Sequence, residues 1–553
     1  MLALFISSFL ALFFFITLGL FYSKFLQGSK NFAELTLIGL VISNSITTFS
    51  SLFFPTNMFI LGTFVLGCLL LFIFIWKEFK TLISLLVKKK YILLISLPFI
   101  LIGFFVSLGP PLNWDTGLYH LQSIKWIEEY SVIPGLANLH ARFGFNPNVF
   151  TLFSLTSFQS IFKQEIFSIN FTVFAVLVIY FINKLYYHLK LQGVTNLFLF
   201  YFIIFYIILR YHHDLSSPTP DYLATSITLF IFVRILDLSS QKKKMEIRNY
   251  FPILILSVYV ITVKLAVFPI ILVVIFIFLQ YKSQLKKSLW LIPLLSFIIL
   301  PWLIRNIIIT GWLIFPFSAI DLFNFDWKVP IEWVNVLKIN ITGWARIPRH
   351  AQEAANMNLL DWFPIWWGGI NFYEKTGLIS SIAFPSIALG GQALKKLKID
   401  IFSNSVLVIS LIGVLFWFFM APSFRFGISF ICVAVISPLL WVRFNLMKQI
   451  NRKVIYFIII AILLVKYTRI TLHNYETVFF QKNFCLMPQK MQTPNSVKFK
   501  SYKIGVIDIH IPIDDDRCFD HSIPCADIYG DKSISLRGKN IESGFKHVNK
   551  DQE

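Results

Sequence analysis

Charge is what this chain has least of. Only 14% of its 553 residues are Asp, Glu, Lys or Arg, where a soluble globular domain carries about a quarter. It has no CxxC pair to suggest zinc, and the long loops show no Gly/Ser linker composition or low-complexity tract. The stretch Met1–Phe21 lacks a basic n-region and a small-residue cleavage site, so it reads as a first membrane helix. No internal repeat stands out. What is abundant is apolar: 57% hydrophobic residues, 17% aromatic and 62 Phe. No water-soluble core hides that much apolar side chain, which makes the chain an all-α polytopic membrane protein.

A spanning helix needs about 20 mostly apolar residues. Candidate segments are 2–22, 32–53, 57–76, 91–110, 166–185, 194–210, 221–237, 250–262, 265–280, 289–308, 377–393, 402–420, 426–443 and 454–469, fourteen in all. The 250–280 pair is too short for two full spans and reads as a hairpin with Lys264 near its tip. The net charge of +21 would suggest nucleic acid in a soluble protein. Here Lys77/Lys80 with Lys88–Lys90, Lys242–Lys244 with Arg248, Lys282/Lys286/Lys287, Lys395/Lys396/Lys398 and Arg443/Lys448/Arg452/Lys453 all fall between apolar segments on one side. The positive-inside rule makes that side the cytoplasm, and nucleic acid drops out as a partner. Both termini are then outside, with the outer loops 111–165, 211–220 and 309–376 and a tail from 471. The expected organisation is N-terminal helices over 1–90, a membrane core over 91–470 and an extracytoplasmic tail over 471–553. In that tail Cys518 and Cys525 are placed to form a disulfide.

Chemistry-bearing residues gather in those outer loops. The first reads GPPLNWDTGLYHLQSIKWIEEYSVIPGLANLHARFGFNP. Pro110-Pro111 ends a helix, Asp115 follows, and residues 117–130 read as an interfacial helix with a Tyr119/Trp126/Tyr130 stripe. If a lipid-linked sugar binds there, Asp115 sits at headgroup level and can take a proton from an attacking hydroxyl or amine. It can equally cap the helix. Glu128 and Glu129 read as an exposed ion pair with Lys125. His120 and His140 read as polar interface residues, and no spacing signals a metal. The second loop, RYHHDLSSPTPDYLAT, offers Asp214 and Asp221, the latter at a helix start. Lys264, Arg305 and Arg425 are isolated cations in apolar surroundings. Such a charge costs about 2.5–3.5 kcal/mol at a helix centre, so it usually faces a polar cavity. Cations converging at one depth suit a phosphate. The third loop holds Trp312, Trp327, Trp333, Trp344, Trp362, Trp366 and Trp367, as membrane anchors or as a sugar-stacking lid.

The order NWDTGLYHL, SPTPDY, TVK, RNIIITGWLIFP and MAPSFRFG resembles bacterial GT-C glycosyltransferases, a superfamily that includes protein mannosyltransferases and aminoarabinose transferases. The resemblance covers roughly residues 90–470. It implies a GT-C-like bundle in a bacterial inner membrane, a polyprenyl-phosphate sugar donor, a cell-envelope acceptor and an extracytoplasmic active site. It implies an inverting glycosyltransferase with Asp115 as base and Asp221 orienting the acceptor or a divalent cation. Tyr119, His120, Glu128, Arg142, Asp214, Lys264, Arg305 and Arg425 are the candidates for substrate contact. The familiar adjacent acidic pair is absent, because Thr116 follows Asp115. Two rival readings are a flippase for lipid-linked glycan, and a polysaccharide polymerase or ligase that uses Arg346, Arg349 and His350 of ARIPRH.

Overall fold

The computed structural model describes residues 1–26, 31–240, 245–393, 400–441, 445–446, 452–472, 485–527 and 533–548. The basic residues Lys242–Lys244, Lys395, Lys396, Lys398, Arg443 and Lys448 lie outside them. Helix appears at every one of the fourteen apolar segments. Eight helices among the described residues are long and apolar enough to cross a membrane: Leu2–Phe25, Phe32–Ser50, Lys90–Ser107, Ile169–Leu191, Pro220–Ser239, Leu291–Thr310, Ile401–Met420 and Phe424–Trp441. The protein is therefore a mostly helical, multi-pass membrane protein. Phe59, Ile73 and Ile387 stand more than two-thirds exposed on the outside of the bundle, as lipid-facing side chains do.

The other expected spans fall short for local reasons. Met58–Phe74 and Trp76–Val87 meet at an 81° bend. Asn196–Arg210 has 15 residues, about 22 Å of helix, against a hydrocarbon core near 30 Å. The 250–280 stretch breaks at Lys264 into Phe251–Val263 and Ile271–Gln280, joined by a 3-10 turn at Leu265–Ile270. Among the described residues eight helices, or nine with the bent pair as one span, are long enough to cross, against the fourteen segments expected.

We label α1 (Leu2–Leu26) and α2 (Phe32–Ser50), which form a tight hairpin. A Cβ on Gly39 would lie 1.7 Å from the Phe15 carbonyl oxygen, and one on Gly19 2.0 Å from that of Leu35. Only glycine allows that backbone approach, the usual device for close helix pairs in lipid. Next come α3 (Ile169–Gln192), α4 (Asn196–Arg210) and α5 (Pro220–Ser239), with α3 and α5 running in the same direction. At one end of this group, Asn170 of α3 donates to the carbonyls of Ser217 and Thr219 just before α5.

At the other end lies a sealed charge network. Arg234 Nη2 is 2.7 Å from Glu34 of α2, and its Nη1 is 3.0 Å from Asp237. Asp237 also accepts from Tyr180 (2.7 Å) and Tyr201 (2.5 Å) and pairs with Lys184 (2.6 Å). The sequence reading missed this network. Each member falls near a helix end, where its charge looks topological.

Past the spans, the first loop differs from expectation. A π-turn (Thr116–His120) precedes the helix Leu121–Glu129. That helix is buried under protein instead of lying in an interface. Residues 485–527 and 533–548 cover it, and Trp126 of its aromatic stripe meets Phe545 at 6.3 Å. The covering segment contains two antiparallel hairpins, Lys498–Ile504 with Ile507–Ile513 and Ile534–Leu536 with Phe545–His547. It also contains a Cys518–Cys525 disulfide.

Candidate active site

At the Asp221 end of α5, the loops enclose a cavity of about 1620 Å³. Four chain breaks deliver charge to it. Pro110-Pro111 releases the chain from the helix Lys90–Ser107, and Asp115 follows. The Asn113 side chain accepts from the Asp115 N–H, so Asn113 does the capping and the Asp115 carboxylate is left free to face the cavity. Thr219 caps α5 with Pro220 in its first turn, which likewise frees Asp221. The cap reading of Asp115 is thereby corrected, and Asp221, though at a helix start, is no cap either. Lys264 is an extended residue between two helical stretches. Arg425 opens the helix Phe424–Ile436, after Ala421-Pro422-Ser423 has ended the preceding span.

The four charges form one alternating row. Asp115 Oδ2 is 2.7 Å from Arg425 Nη1. Arg425 Nε is 3.9 Å from Asp221 Oδ2, and Asp221 Oδ1 pairs with Lys264. Both cations also lie over the Phe426 ring, at 4.1 Å for Lys264 and 4.8 Å for Arg425. The Arg425 side chain is 42% exposed, so the row is open to the cavity. Burial opposes ionisation of Asp115, but Arg425, with Arg142 adding to the field, holds its carboxyl below the usual range. Burial pushes His120 down to about 3, with Lys264 and Arg425 acting in the same sense against Asp115. His120 is thus neutral at physiological pH.

Asp115, Tyr119, His120, Arg142, Asp221, Lys264 and Arg425 all line the cavity. Three other candidates do not. Glu128 is buried and makes no ion pair with Lys125. Instead Lys125 pairs with Asp520 (2.8 Å) and Glu165 (3.6 Å), and burial, reinforced by Glu165, raises the Glu128 carboxyl well above its ordinary range. The expected exposed pair is wrong because both partners of Lys125 come from distant segments. Asp214 lies behind the row, near Asn113 (3.5 Å) and His213 (3.7 Å). Arg305 is buried against Asn146 (3.2 Å) and Ser51 (2.9 Å) and ties helices together.

The third loop divides as well. Trp333 and Trp344 line the cavity. Trp312 and Trp362 are fully buried, and Trp327 stacks on Phe325 under Arg537. Of Arg346, Arg349 and His350 only Arg349 reaches the cavity, beside Ala345 and Pro348 of the same segment. Arg346 stacks on Trp362 at 4.8 Å, and His350 stands exposed beside Glu353. The sequence reading did not foresee Asp514, Asp515, Asp516 and Asp527, which line the cavity from the C-terminal segment. Among the described residues no group of three or more His, Cys, Asp or Glu is arranged to hold a metal ion.

No curated protein and no solved structure matches the chain. Residues 1–432 match the family described as Domain of unknown function (DUF8201), and the chain belongs to that family.

Proposed function

We propose that this protein is an inverting glycosyltransferase of GT-C type, working at the outer face of a bacterial inner membrane. It moves one sugar from a polyprenyl-phosphate carrier to a cell-envelope acceptor. The observation that carries this reading is the open Asp115–Arg425–Asp221–Lys264 row in a large cavity at one end of a membrane bundle. The basic loops and the Cys518–Cys525 disulfide support the orientation, since disulfides persist outside the cytoplasm.

In the ligand-free row each carboxylate is held by a cation. A donor phosphate has the charge and geometry to take Arg425 and Lys264 from them. Asp115 is then a free carboxylate beside the reaction centre. The acceptor oxygen attacks the anomeric carbon from the face opposite the phosphate, and its proton passes to Asp115. The new C–O bond forms as the old one breaks, and its electron pair leaves on the polyprenyl phosphate. Arg425 and Lys264 neutralise that leaving charge, an electrostatic contribution concentrated in the transition state. Asp221, released as Lys264 turns to the phosphate, orients the acceptor.

The test is Asp115→Asn in the full-length protein, with abundance and unfolding temperature checked first. Loss of a general base lowers transfer by about 10²- to 10⁴-fold. Undiminished transfer, or an unchanged surface glycan in cells, removes Asp115 from the mechanism.

A further inference from the structure

The cavity has a second wall that the transfer step does not use. It comes from the C-terminal segment, which is fastened on both sides of Asp115. The Phe519 N–H donates to the Gly117 carbonyl at 2.9 Å, and Lys125 Nζ to Asp520 at 2.8 Å. The Arg517 guanidinium lies 3.6 Å from the ring centre of Trp114, the neighbour of Asp115. Farther along, the Phe545 N–H donates to the Pro134 carbonyl at 2.9 Å.

This segment presents Asp515, Asp516 and Asp527 to the cavity. Arg517 holds Asp515 through two contacts of 2.8–2.9 Å. Asp516 and Asp527 both feel Arg142, which lines the same cavity, and burial raises both carboxyls. His140 is 6% exposed and also lines the cavity, and its Nδ1 has no hydrogen-bond partner. Burial lowers its pKa to about 3, so it is a neutral imidazole with an unspent donor or acceptor. Trp344 lines the cavity and is 52% exposed.

Flat aromatic surface, carboxylates, a guanidinium and an unspent imidazole together suit a ring of hydroxyl groups. The C–H face of a sugar covers an indole, its hydroxyls donate to carboxylates, and they accept from Arg. The other walls of the cavity are largely apolar, with Phe145, Ile261, Phe315, Val336 and Met420, and suit a lipid chain, whereas this wall gathers the groups that bind hydroxyls. About 1620 Å³ exceeds the roughly 300–1,000 Å³ that suffices for one small ligand, which leaves room for an acceptor beside the donor. The four residues of the charged row all lie within the family-matched residues 1–432, whereas Asp516 and Asp527 lie beyond them.

We propose that the C-terminal segment, through Asp516 and Asp527 with His140 and Trp344, forms an acceptor subsite for a glycan chain. This rests on the transferase reading, yet its binding step is measurable without turnover. Full-length protein in nanodiscs is assayed against an oligosaccharide array, with undecaprenyl phosphate and an unstructured peptide library as comparators. The wild type binds oligosaccharide. Combining Asp516→Asn with Asp527→Asn, or making Trp344→Ala alone, weakens that binding at least about tenfold, or 1.4 kcal/mol. Undecaprenyl phosphate binding is unchanged in both variants. Equal oligosaccharide binding by wild type and variants overturns the subsite. So does wild-type capture of peptide in place of oligosaccharide, or of undecaprenyl phosphate alone. If Asp115→Asn still transfers sugar while the array result holds, the catalytic reading fails and the subsite stands.

Discussion

One helix, Pro220–Ser239, carries two charge networks at its two ends. Asp221 belongs to the row in the cavity, and Arg234 and Asp237 to the sealed cluster. The sixteen helical steps from Asp221 to Asp237 amount to about 24 Å. Both networks alternate in sign and hold two cations and two carboxylates. They differ in access. The Glu34, Arg234 and Asp237 side chains are 2–7% exposed, with Lys184 alone reaching outward at 27%, whereas Arg425 is 42% exposed and Asp115 21%. A sealed network has its partners fixed and serves folding. An open one exchanges a partner for a ligand at little cost, because water or a phosphate replaces what is removed.

The comparison breaks most visibly at the sealed end. Asp237→Ala leaves Arg234 and Lys184 short of a partner in the bundle, and removing one member of a buried pair costs about 3–5 kcal/mol. The expected result is a large fall in unfolding temperature and abundance, with normal transfer per surviving molecule. Normal stability would show that the two networks are alike.

A smaller effect belongs to the open end. Arg425→Ala removes a charged hydrogen-bond donor, worth about 1.5–3 kcal/mol. Undecaprenyl phosphate should bind roughly 10- to 150-fold more weakly on that scale, with the unfolding temperature nearly unchanged. An unfolding temperature that drops as far as in Asp237→Ala would make the row structural.

Acidity sharpens the contrast further. The Asp115 carboxyl is depressed, so its contribution to stability is present above its unfolded value, near 3.9, and is lost as pH falls through the folded value. Its charge as a base persists to the same limit. Transfer should therefore stay level from neutral pH down to about 4–5. Titration of activity near pH 6–7 would name a different base.

The smallest effect is at Glu128, whose folded pKa is raised. That group favours the folded state at low pH and loses its contribution as pH rises through the folded value. Glu128→Gln should raise the unfolding temperature slightly at alkaline pH and leave it unchanged in acid.

These two regions also show what the sequence made legible. Asp115, Asp221, Lys264 and Arg425 stood out because each is a charge at a break in an apolar run, where no local partner explains it. Asp214 and Arg305 gave the same signal for another reason, while Glu128 read as a partner of Lys125. Their surroundings (Glu165 for Glu128, Asn113 for Asp214, Asn146 and Ser51 for Arg305) are supplied by distant segments, and a linear reading cannot see them. Glu34, Lys184, Arg234 and Asp237 were hidden in the opposite way, since charges near helix ends pass for topology signals. The helical content was readable from hydropathy alone. The bend at 81° was not, because its second arm, Trp76–Val87, carries Lys77, Glu78 and Lys80 and reads as part of a basic loop.

The late position of the covering segment bears on how the protein is made. The charged row is complete once residue 425 has been synthesised, but the cavity gains Asp515, Asp516 and Asp527 only about a hundred residues later. During translation the row therefore stands in a half-built vestibule, and Lys125 waits for Asp520 to arrive. A ribosome that stops early releases a protein with every member of the row in place and one side of its vestibule missing.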